Sequence, residues 1–245
     1  MLVEVLISHT ERAVVRVGDV FVKVDTDVER FERERVALQS ARIPRPELLW
    51  YRDGETQVLA LAAIQGAPLA LLGQASPHPP AAWEAAGSTA RLLHGQTVPA
   101  GLAKPSRYLL EDLDELEAWL LSKEIASRRI VAEHTHRARA ARDAATAETF
   151  IHGDFQPAHI FMTADNEVAG VVDWGDAGVG DAHYDLAVLT VGNSENLGAV
   201  IKGYGGDVDR DRIAGYWSWR RLGSIRWMIE HGFDPSDDLR ALDLR

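Results

Sequence analysis

The chain has 245 residues, 46% of them hydrophobic, and no cysteine. That is enough apolar material for one large domain or two lobes, and it excludes disulfides, thiolate metal sites and a cysteine nucleophile. A formal charge of −11 disfavours nucleic acid and favours cationic partners. No apolar run approaches the roughly 20 residues that span a bilayer. Residues 1–12 lack the basic start and apolar stretch of a signal peptide. The expectation is a cytoplasmic protein with no membrane partner and no nucleic-acid partner.

Residues 3–7 alternate as a half-buried strand, and Ser8, His9 and Thr10 form a polar turn. Two β-rich runs, 13–17 and 20–25, meet at Gly18-Asp19, a two-residue hairpin signal. Val20, Val22 and Val24 share one face, expected to be the core face, and Lys23 sits on the other. A helix is expected over 28–41, ending before Pro44 and Pro46. On it Phe31, Glu34 and Leu38 share one stripe, so Glu34 is a carboxylate on an apolar face. Such a group wants a cation, and Lys23 is the natural one: only four of the 26 basic residues are lysine. Runs 48–51 and 57–64 complete a small lobe of five strands and one helix, and Gln65-Gly66-Ala67-Pro68 leads out of it.

The remainder is mostly helical: 81–94, 106–122, 123–147, 182–191, 195–202 and 209–231. Trp217, Trp219 and Trp227 read most simply as core residues, with substrate stacking as the alternative. His134 and His136, two apart on a helix, point to different faces and make a poor metal pair. The acids Glu111, Asp112, Asp114, Glu115 and Glu117 form one run, read either as a solvated face or as the wall of a pocket for a cationic acceptor.

Between the helices lies FIHGDFQPAHIFMTADNEVAGVVDWGDAGVGDAHYDLA, from Phe150 to Ala187. Strands are expected at 149–151, 160–162 and 168–172, with Asp154, His159 and Asp173 in the short loops beside them. A short loop between strands holds a carboxylate rigidly at a cleft, which is what phosphoryl transfer asks of a protein. His152-Gly153-Asp154, followed by Val172-Asp173-Trp174 and by GDAHYDLA, resembles the catalytic and metal loops of the aminoglycoside phosphotransferase family, small-molecule kinases with the protein-kinase fold. The element order resembles that family over nearly the whole chain, and the specific motifs occupy about forty residues.

The resemblance implies an α/β (α+β) bilobal fold: a nucleotide-binding lobe over residues 1–64 and a larger, mostly helical catalytic lobe over 65–245. It implies transfer of the γ-phosphate of ATP or GTP to a hydroxyl of an antibiotic or related natural product. Asp154 would accept the hydroxyl proton. Asp173 would hold Mg2+ (Mn2+ being the alternative), and Lys23 would bind phosphates, oriented by Glu34. Ser8 and Thr10 lie in the turn that closes over the phosphates. His159 would be the second metal ligand, since it stands where most members carry a metal-binding asparagine and some, including macrolide-modifying members, carry histidine; the other role open to it is a hydrogen bond to the catalytic loop or to a phosphate. His152 is expected to be structural, and Asp181 and Asp185 to brace loops. Two further functions remain: a kinase-fold protein that binds nucleotide without catalysis, and a metal-dependent hydrolase built on Asp154, His152, His159 and Asp173.

Overall fold

The computed structural model describes residues 3–8, 12–71, 74–106, 109, 111–145 and 148–243. Five antiparallel strands form the first lobe: β1 (Val3–Ser8), β2 (Arg12–Val17), β3 (Val20–Asp25), β4 (Leu48–Arg52) and β5 (Gln57–Ala62), in the order β1-β2-β3-β5-β4. Between β3 and β4 runs helix α1 (Val28–Ser40), capped by the Asp27 carboxylate, which accepts from the Arg30 amide.

The face of this sheet is opposite to the one expected. On β5 Gln57, Leu59 and Leu61 are buried, and they pair with Asp25, Lys23 and Phe21 of β3. This face meets the buried stripe of α1, Phe31, Glu34 and Leu38. Lys23 therefore points into the molecule, and Val20, Val22 and Val24 are half-buried on the other side. Valine favours a strand on either face; what decides is where the helix lies, and α1 covers the face with the larger Phe21, Leu59 and Leu61.

Strand β6 (Ala67–Pro68) carries the chain into the helical lobe and joins β8 (Ile160–Met162) and β9 (Val168–Val171) in a three-stranded sheet; β7 (Thr149–Ile151) pairs with β10 (Gly178–Gly180). Around them pack α2 (Pro80–His94), α3 (Leu113–Ser122), α4 (Arg128–Asp143), α5 (Ala182–Thr190), α6 (Leu197–Tyr204), α7 (Arg210–Glu230) and α8 (Ser236–Asp243). The core is continuous, with Trp83, Trp174, Tyr184 and Tyr216 among its largest buried side chains. α2 and α6 touch backbone to backbone: a Cβ on Gly203 would lie 1.8 Å from the Glu84 carbonyl oxygen.

Several boundaries move from their expected places, each for a local reason. α3 starts at 113 and not 106, because Asp112 caps it by accepting from the amides of Asp114 and Glu115. α4 starts at 128 and not 123: Glu124 has φ +53° and Ser127 is the cap. β6, β10 and α8 are too short to have shown a periodicity. Trp227 is not core. It is 49% exposed and stacks on His231 and Phe233. Among the described residues no helix is long and apolar enough to cross a membrane.

Candidate active site

The loop after β7 is held from beneath. The Asp185 carboxylate, fully buried on α5, accepts from the backbone amides of His152 (2.7 Å) and Gly153 (2.9 Å), and His94 Nε2 lies 3.0 Å from it. Gly153 has φ +82°, and a Cβ there would sit 2.2 Å from the Asp176 carbonyl oxygen. No side chain fits, so the His-Gly-Asp turn requires its glycine.

His152 is fully buried. Its Nε2 contacts the Val172 carbonyl at 3.1 Å, and the Asp154 amide donates to its Nδ1 at 3.2 Å. Those partners select the neutral tautomer with the proton on Nε2. Burial, opposed by Asp185, pushes its pKa down to about 4. His152 thus joins the catalytic loop to the strand that carries Asp173, the structural place expected of it.

Asp154 leaves this turn toward the cleft and is 7% exposed. Its Oδ1 accepts from Arg220 Nη2 of α7 at 2.6 Å, and its Oδ2 from Gln156 Nε2 at 3.2 Å. A 3₁₀ turn, Pro157–His159, then brings His159 back. His159 Nδ1 donates to the Asp154 carbonyl at 3.0 Å, which leaves the Nε2 lone pair facing the cleft, 3.8 Å from Asp173 Oδ2 and 3.0 Å from the Gln156 amide nitrogen.

Asp173 follows β9 with φ +65°. Asp tolerates this region better than most residues, but the neighbours must still hold it there. Val172 N donates to the His159 carbonyl, and Trp174 Nε1 to that of Val171. The half-buried carboxylate meets two cations of the first lobe on one oxygen, Oδ1: Arg12 Nη2 at 2.6 Å and Lys23 Nζ at 3.0 Å. Lys23 also bonds Glu34 of α1. Burial alone would raise the Asp173 pKa; Lys23, Arg12 and His159 outweigh it and hold the group well below the usual carboxylate range.

Five of the residues singled out in the sequence, Lys23, Glu34, Asp154, His159 and Asp173, thus converge on one cluster where the lobes meet. Ser8 ends β1, where its backbone pairs with Ala13; its side chain, and all of Thr10, lie outside the described residues. Two arginines of the site had not been anticipated. Arg12 lies one residue before the expected strand at 13–17, so its inward parity was not read, although alternation from Val14 gives it. Arg220 sits in a long helix with no local pattern to mark it. Asp181 is a brace, as expected: it caps α5 and accepts from Tyr216 Oη at 3.1 Å.

One of the two cleft-facing donors suits a hard cation, and the other is a poorer match for Mg2+. Asp173 offers carboxylate oxygen and His159 one ring nitrogen. Mg2+ is commonly held by one or two protein groups, with phosphates and water completing the shell. Among the described residues no three His, Cys, Asp or Glu gather to hold a metal alone, and the hydrolase reading needs such a cluster.

A model of the phosphotransferase enzyme family matches residues 3–222. The chain belongs to that family. It is a small-molecule kinase, a phosphotransferase with an alcohol group as acceptor. Solved structures share its fold. Aminoglycoside 2′-phosphotransferase-IIIa superposes with a TM-score of 0.75 at 16% identity, covering 99% of this chain and 91% of that one. The aminoglycoside phosphotransferase APH(3″)-Id of Streptomyces rimosus gives 0.62 at 25% identity, over 90% and 92%. Macrolide 2′-phosphotransferase type I gives 0.65 at 18% identity, over 98% and 89%. A search of the curated proteins finds no significant match.

Proposed function

We propose that this phosphotransferase moves the γ-phosphate of ATP or GTP onto a hydroxyl of an antibiotic or related natural product, in a cytoplasmic resistance or biosynthetic role. The reading rests above all on Asp173, where the inward Lys23 of the sheet lobe meets the loop that follows β9 in the helical lobe. In it, residues 1–64 bind the nucleotide, and residues 65–245 supply catalysis and the acceptor site.

Asp154 is the base. A carboxylate has about four lone-pair directions, and Arg220 and Gln156 engage one on each oxygen, which fixes its orientation while leaving a direction for the acceptor hydroxyl. Lys23 binds phosphate and is aimed by Glu34, and Ser8 and Thr10 close over the phosphates. Asp173, with His159 Nε2 as second donor, holds Mg2+ or Mn2+, which supplies charge neutralisation on the phosphate oxygens. The protein's own work is positioning: a rigid base on one side of the cleft, and cations aimed at the phosphates on the other.

The acidic run gives a narrower view of the acceptor than its charge suggested. Asp112 caps α3, Asp114 and Glu117 pair with Arg139, and Glu115 pairs with Arg226. Glu111 differs. It is half-buried, accepts from Trp219 Nε1, and lies within the field of Arg220, which bonds Asp154. We place a cationic group of the acceptor against Glu111. In support, the S. rimosus enzyme has been solved with ADP and streptomycin, and aminoglycoside 2′-phosphotransferase-IIIa with GDP.

The test is release of ADP or GDP with Mg2+ across aminoglycosides, basic peptide antibiotics, macrolides and simple amino alcohols. Asp154→Ala is expected to reduce acceptor-dependent release by about a hundredfold or more while nucleotide binding persists. A variant that keeps its turnover removes Asp154 from the chemistry. A wild type that binds nucleotide and phosphorylates none of the panel favours the non-catalytic alternative.

A further inference from the structure

We propose that Arg12 is a second phosphate-binding cation of the nucleotide site, working beside Lys23; the proposal rests on the kinase reading above. Arg12 is the first residue of β2. It stands opposite Asp25, and Val14, the next inward position, stands opposite Lys23. The two cations are therefore diagonal neighbours on the inner face, close enough for long side chains to reach one point. That point is Asp173 Oδ1.

The carboxylates around them are not equally shared. Asp25 accepts from Arg30 through both oxygens, at 2.7 Å each. Glu34 pairs with Lys23. Arg12 reaches these two acids only at 4.0 and 3.8 Å, beyond a hydrogen bond. Among the described residues its one short contact is Asp173, and its Nε is buried without a hydrogen-bond partner. Of a planar fork of five donors, Nη2 thus goes to one oxygen of the residue proposed above to hold the metal, and Nε is left over. A buried donor without a partner is costly, so this geometry points to a further anionic ligand.

The polyphosphate of the nucleotide fits. It is an anion bound on the inner face beside Lys23, and guanidinium matches phosphate oxygens two at a time. If Asp173 were to hold a divalent cation, Arg12 and Lys23 would share that carboxylate with it. Lys23 keeps Glu34, whereas Arg12 keeps no carboxylate within hydrogen-bonding distance among the described residues. Phosphate then becomes its partner. Arg12 accordingly discriminates by phosphate number and does nothing for the base or ribose.

The experiment is calorimetric titration of the full-length protein with adenosine, AMP, ADP and ATP, and with the guanosine series, with and without Mg2+. Wild type is compared with Arg12→Ala and Arg12→Lys. The expected result for Arg12→Ala is a loss of about 10- to 100-fold for the triphosphate, less for the diphosphate, and no change for the nucleoside. Arg12→Lys, which keeps the charge without the fork, should recover part of it and guards against misfolding. Unchanged triphosphate affinity in Arg12→Ala overturns the proposal. So does an equal loss for nucleoside and triphosphate, because that marks a residue that only braces the fold. A wild type that binds no nucleoside triphosphate overturns the kinase reading along with it, whereas intact wild-type binding with an unchanged variant overturns the Arg12 proposal alone.

Discussion

The two sides of the cleft are built on opposite principles. On the helical side the catalytic loop is set by its backbone: buried Asp185 takes two amides, His152 ties the loop to β9, and Gly153 admits no side chain. On the sheet side the charged groups are set by one another, through Lys23, Glu34, Arg12 and Asp173, all at side-chain tips. Bonds to buried backbone have no substitute when broken. Bonds between charged tips can be exchanged for a ligand's at little cost. The helical side is therefore the more rigidly held, and in the proposed reading it carries the chemistry while the sheet side changes partners.

The largest expected effect follows from the first half of that contrast. Asp185→Ala leaves two buried amides unpaired and His94 without its acceptor. We expect a loss of about 3 kcal/mol or more in unfolding free energy, read by urea denaturation, with turnover lost in parallel. Wild-type stability in that variant would show that the loop is held by something other than Asp185, and the comparison would fail. Lys23→Met combined with Glu34→Gln is the counterpart: it removes both partners and leaves no buried charge unpaired, so turnover falls while the urea midpoint changes far less than in Asp185→Ala.

His152 sharpens the same point through pH. Its folded pKa of about 4 lies below the ordinary value of 6.5, so the unfolded chain binds the proton more readily. The stabilisation is fully present above pH 6.5 and declines as the pH falls toward 4. At pH 5.5 the loss is on the order of 1 kcal/mol. Carboxylates titrate in the same range, so the measurement is a difference: urea stability at pH 7.5 and 5.5 for wild type and for His152→Gln. The variant should show the shallower fall. Equal falls would place His152 in contact with water, contrary to its complete burial.

How much of this was legible in the chain follows from how local each signal is. The strands at 149–151 and 160–162 were found at their observed limits, because each is a short apolar run beside residues that cannot continue it. The Lys23–Glu34 pair could be read from helical spacing and one unusual lysine. The inner face of the first sheet could not, since it depends on which side α1 packs, and three valines suggested the wrong one. The helix starts at 113 and 128 turned on caps, Asp112 and Ser127, that look like ordinary polar residues until the chain turns there. Arg220 reaches Asp154 across 66 residues, a relation fixed by tertiary packing alone.

His159 belongs to both halves, and the smallest expected effect separates its two roles. Its Nδ1 is tied to the Asp154 backbone, the mode of the helical side; its Nε2 faces Asp173, the mode of the sheet side. Imidazole nitrogen is a poorer partner for Mg2+ than amide oxygen and a better one for Mn2+. If Nε2 ligates the metal, His159→Asn keeps turnover and moves the Mg2+ to Mn2+ activity ratio toward Mg2+, by about tenfold at most, or ~1.4 kcal/mol. The Gln156 amide must first give up its contact with Nε2, so Gln156→Ala should raise metal affinity in the wild-type background and leave it unchanged beside His159→Asn. A variant whose metal ratio stays put while turnover drops assigns His159 wholly to the helical side, as the residue that holds the Asp154 carbonyl in place.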